Sequence, residues 1–165
     1  MRKTVQTILL AGSVAGLLDI SSAFVMFGLR GVSALRVLQG IASGVLGAKS
    51  YRGGVATGLL GAGFHFLIAF SATAVYYAAS RRLKFLTRYP VSSGLGYGVA
   101  VYTFMNVVVL PLSAVFPKRS PSISDVAVGM AILCCMLGLP VSLITSHADV
   151  AGPHQPLPTA RAVID

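Results

Sequence analysis

Crossing the roughly 30 Å hydrocarbon layer of a bilayer takes about 20 consecutive apolar residues in a helix. Four stretches of this chain meet that requirement: Val5 to Leu29, Gly53 to Ala79, Val91 to Phe116 and Val126 to Ser146. Lipid offers no hydrogen-bond partner to the main chain, so a spanning segment must be a helix or belong to a closed barrel. The ten-residue alternation of a barrel strand is missing, which leaves helices. The sequence therefore predicts an all-α fold, a transmembrane bundle of four helices (spans about 5–29, 53–79, 91–116 and 126–146). These form one domain over 1–146.

Charge supports the same picture. Hydrophobic residues make up 55% of the chain and charged ones 10%, so the formal net charge of +9 rests on few side chains. The basic residues gather at the ends of apolar runs rather than along a stripe, which argues for headgroups and against a nucleic-acid partner. With four spans, Arg2 and Lys3 share a side with Arg81, Arg82, Lys84 and Arg88. The positive-inside rule then places both termini in the cytoplasm, on a balance of seven basic residues against six. Arg2 and Lys3 ahead of an apolar run, with small residues at Ser21 to Ala23, have the outline of a signal peptide, but the apolar run continues to Phe27 and reads as an uncleaved first helix. Tyr51, Tyr76, Tyr77, Tyr89 and Tyr97 fall near span ends, where amphipathic rings anchor at the interface.

The segment between the first two spans differs in kind. Over about 32–48, Ser33, Arg36, Gln39 and Ser43 recur at helical spacing, and Ser50 continues the row; Leu35, Leu38, Ala42 and Val45 take another face. An amphipathic helix of about 16 residues reaches only about 24 Å, so it is expected to lie in the interface or to re-enter rather than to span. Arg36 and Gln39 on its polar face are candidate contacts for lipid headgroups. The last stretch, 147–165, holds Pro153, Pro156 and Pro158 among polar residues and is expected to be a flexible tail. Its His147, Asp149 and His154 make a poor metal site, and neither a metal nor a cofactor is expected. Cys134 and Cys135 are adjacent inside an apolar run and read as small packed hydrophobes.

Acids are scarce. There is no Glu, and of the four Asp only Asp19 falls inside an apolar run. A charged carboxylate at mid-bilayer costs at least about 2.5 kcal/mol, so Asp19 should face the bundle interior. Centring the spans brings Asp19, His65 of the second span and Asn106 of the third to within about 3 Å of one depth. Two readings stay open for this trio: a hydrogen-bonded clasp between helices, or a proton relay or binding site. Glycines mark the faces that carry it. Gly12 and Gly16 precede Asp19, Gly54, Gly58 and Gly61 precede His65, and Gly94 and Gly98 form the small step of the third span. Small residues let helices approach closely in lipid, which makes these the expected packing surfaces.

The strings LLAGSVAGLLDI, LRVLQGIASGVLG, FHFLIAF followed by Tyr76 and Tyr77, and YTFMNVVVLPLSA resemble a family of small, uncharacterised bacterial inner-membrane proteins. The resemblance implies a bacterial inner membrane and about four spans, and it implies no chemistry. Three functions are compatible with the sequence. The leading one is a non-enzymatic membrane component that packs with itself or with a membrane partner through its glycine faces. The second is a small proton-coupled transporter or channel subunit using Asp19, His65 and Asn106. The third is a lipid-headgroup enzyme with a serine beside His65 and Asp19. No phosphate loop, GxSxG elbow, HExxH motif or pair of embedded carboxylates supports an enzyme.

Overall fold

A computed structural model describes residues 2–114 and 122–150. The described residues are helical, with no strand among them. Helix α1 covers Arg2–Gly28, α2 Ala34–Leu46, α3 Gly54–Arg82 and the single turn α4 Phe85–Arg88. Helix α5 covers Pro90–Leu112 and α6 Ile123–Ala148, after which helical residues continue to Val150. Helices α1, α3, α5 and α6 are each long and apolar enough to cross a membrane, which marks a multi-pass membrane protein.

The boundaries follow local chemistry. Ser33 caps α2 by accepting from the Arg36 N–H, and α2 ends at Gly47, whose φ of 60° suits glycine alone. A 3-10 segment, Gly47–Arg52, then leads to the turn into α3. Ser122 and Asp125 form a reciprocal capping box at the start of α6. Arg30, just past α1, reaches Asp125 at 3.1 Å, tying the end of α1 to the start of α6. Both side chains are exposed, so the pair guides position more than it stabilises. The third span ends at Leu112, earlier than the expected 116, where Ser113 turns extended. Residues 147–150 are helical, and the His147 ring bonds the Leu143 carbonyl one turn back. His154 and the rest of 151–165 lie outside the described residues, and no metal-binding cluster occurs among the described ones.

Helix α1 is central, packed between α3 and α6; α2 lies against α3, and α5 against α6. Since lipid provides little drive for apolar burial between helices, these contacts rest on close approach and hydrogen bonds. Glycine supplies the approach. A β-carbon on Gly12 would run into Phe70, and one on Gly16 into Phe66 and Ala69, so these two seat α3 on α1. Gly58 and Gly61 receive Leu35 and Leu38, hence their partner is α2 and not another span. Gly94 and Gly98 meet the backbone of α6 at Gly138 and Cys134. Gly54 departs from expectation: it is a turn residue with φ of 58°, and no neighbour packs on it.

The ends of the bundle differ. Where α1 begins, Ala15, Tyr76, Leu137 and Val141 form a closed core backed by Tyr97 and Leu86. Tyr76 is 1% exposed and donates to the Leu86 carbonyl; Tyr97 stacks edge-on against it and donates to the Ala72 carbonyl at 2.6 Å. Tyr76 is thus packed inside the bundle, and Tyr97 is half-buried against it. Buried Thr73 and Ser80 satisfy their hydroxyls on carbonyls of their own helix. Cys134 packs inside and bonds the Leu95 carbonyl, whereas Cys135 is exposed.

Candidate functional site

Beyond that core, towards the end of α1, the helices part around a cavity of about 1560 Å³. Its walls come from α1, α2, α3, α5 and α6, and Asp19, His65 and Asn106 all line it. The three residues singled out by depth therefore do share one space.

Gly16 positions the site. With no side chain there, α3 comes close enough for His65 Nε2 to lie 2.9 Å from the Gly16 carbonyl oxygen. A carbonyl can only accept, so Nε2 carries the proton and Nδ1 of the neutral ring is left as the acceptor. Phe66 meets the imidazole edge-on at 5.4 Å. Asp19, one helical turn beyond Gly16, is half-buried, and no hydrogen bond joins it to His65. Asn106 donates to the Tyr102 carbonyl of its own helix at 2.9 Å. Asp19, His65 and Asn106 do not bond one another: His65 joins α3 to α1 through the Gly16 main-chain oxygen, and Asn106 is satisfied within its own helix. The Ser22 hydroxyl donates to the Asp19 main-chain carbonyl at 2.7 Å within α1.

The residues of α2 divide. Arg36 stays at the rim, lies 5.1 Å above the Tyr51 ring and donates to the Tyr51 carbonyl at 3.3 Å. Gln39 turns inward, is 3% exposed and donates to the Gly54 carbonyl at 3.0 Å, so it stitches α2 to the start of α3 and cannot meet a headgroup. Its place in a polar row made it look solvated. The signal against that was the row of glycines on the next helix, which needs a partner at close range.

Two further features of the wall were not anticipated. Helix α5 widens to π-helical turns over Met105–Val109, and α6 does so over Leu133–Gly138. Each segment ends two residues before a proline, Pro111 or Pro140. Proline lacks an N–H and its ring crowds the carbonyl four residues back, and a wider turn upstream relieves both. Asn106 sits in the first of these segments and Leu137, which also lines the cavity, in the second. The paired prolines at matching offsets were the legible sign.

Comparison with protein-family models, with curated proteins and with solved structures finds no match.

Proposed function

We propose that this protein is a small proton-coupled transporter or channel subunit whose working site is the Asp19, His65 and Asn106 cavity. One observation supports this above the others: polar side chains from three spans, including the lone embedded carboxylate, line one large open cleft, with Asn106 on its exposed side. The glycine faces that would otherwise serve a packing partner are spent within the chain on α1, α2, α3, α5 and α6. A residue that can gain and lose a proton at mid-membrane, next to an imidazole with a free acceptor nitrogen, has the parts of a proton relay.

In this reading the chain resides in a bacterial inner membrane with both termini in the cytoplasm, and α2 lies at the opposite surface. The 13-residue length of α2 supports that placement, since it is too short to cross. Reporter fusions after Arg88 and after Lys118 are expected to report opposite sides; the same side at both sites would refute the arrangement.

Activity is tested in proteoliposomes loaded with a pH-sensitive dye. A proton flux above that of empty vesicles is expected, and Asp19→Asn, which keeps shape but cannot ionise, should abolish it while the protein stays folded. Parent protein that passes protons no faster than empty vesicles would sink the proposal.

A further inference from the structure

The cavity has a composition that points to a class of ligand. Its walls are mainly apolar, and the aromatic rings of Phe64, Tyr102 and Phe104 line it together with Asp19. Its volume of about 1560 Å³ is larger than the common range for small-molecule pockets, so a bulky occupant fits. Among the titratable and charged groups that face it, Asp19 comes from α1, Arg36 from α2, Tyr51 from the 3-10 segment, His65 from α3 and Tyr102 from α5; the residues of α6 that line it are apolar or glycine. Arg36 is already turned onto Tyr51. Asp19 forms no ion pair with Lys or Arg among the described residues.

A carboxylate without a fixed counter-ion in a low-dielectric volume favours a mobile cation, because charge attraction there is screened weakly. Aromatic faces add to that preference, for a cation near a ring gains from its quadrupole. A metal ion is a poor match, since it requires several oxygen ligands and the site offers one carboxylate amid hydrocarbon. An organic cation carries its own apolar surface and needs no such set.

We infer that the cavity binds a bulky lipophilic organic cation, held by Asp19 and the surrounding rings, and exchanges it for a proton. This rests on the proton-coupled reading above and names its other substrate. The exchange balances in charge: one proton taken up by the Asp19 carboxylate neutralises the site, and one monocation leaves.

The test is equilibrium binding of radiolabelled tetraphenylphosphonium to the full chain in mild detergent, with tetraphenylborate as an anion of the same shape. Saturable cation binding is expected at about pH 8 and should weaken as the pH is lowered, with the anion bound at least about tenfold more weakly than the cation. Asp19→Asn should lose the preference for cation over anion, and Phe64→Ala with Phe104→Ala should weaken cation binding. Equal binding of both ions to the parent protein would show an undiscriminating apolar void and overturn the proposal, even if the Asp19 variant does not fold. If the cation does not bind while Asp19-dependent proton flux persists in vesicles, the ligand class falls and the proton-coupled reading stands. If both are missing, both fall.

Discussion

At the scale of single residues, Asp19 separates two roles that share a position. It has no hydrogen bond to His65 or Asn106, so replacing it removes a polar group from an apolar volume and breaks no contact between helices. Asp19→Leu is therefore expected to unfold in detergent at the same temperature as the parent or slightly higher, with flux lost. Such a trade of activity for stability is common where a site holds an unfavourable group. A loss of about 1 kcal/mol or more in thermal unfolding would restore the clasp. Glycine gives a second residue-level prediction, in which the usual sign reverses. Ala for Gly in a helix ordinarily stabilises by about 1 kcal/mol. At Gly61 the new β-carbon would overlap the Leu38 carbonyl, and at Gly98 the Cys134 backbone. Both are rigid main chain, so Gly61→Ala and Gly98→Ala should each cost about 1 to 3 kcal/mol. Gly63, with open space around its Cα, is the control, and Gly63→Ala should be neutral or stabilising by thermal unfolding in the same detergent.

At the scale of elements, the four long helices could be read from hydropathy, because chain length against bilayer thickness admits few alternatives. What could not be read was pairing. Gly58, Gly61 and His65 share a face by spacing, yet α2 takes the glycines and α1 takes the histidine, since only the crossing of helices in space decides who arrives at each turn. The same gap hid the burial of Gln39 and of Tyr76. That Asp19, His65 and Asn106 line one cavity agrees with spacing counted at a fixed rise per residue; whether they would meet or merely face one another could not be read. The π-helical turns raise a prediction of their own. Pro111→Ala removes the reason for the wide turns over Met105–Val109. Regaining α geometry shifts the register of one side of the turn by about 100° relative to the other, enough to swing Asn106 relative to the end of α5. The variant is expected to be folded and no less stable by thermal unfolding, while its proton flux in vesicles falls; unchanged flux would show that the wide turns play no part in the site.

At the scale of the whole molecule, the two halves of the bundle are built on different principles. One half is closed by a core in which α1, α3 and α6 meet and α5 is pinned to α3 by Tyr97. The other half is held apart, with α2 and the far ends of α5 and α6 around the cavity. Helices α5 and α6 touch main chain on main chain through Gly94, Gly98 and Gly138, and Cys134 and Ser142 of α6 add side-chain hydrogen bonds to the Leu95 and Pro90 carbonyls of α5. That contact has a mechanical consequence: closely seated and pegged by side-chain hydrogen bonds, α5 and α6 form one paired unit, like two planks joined by dowels.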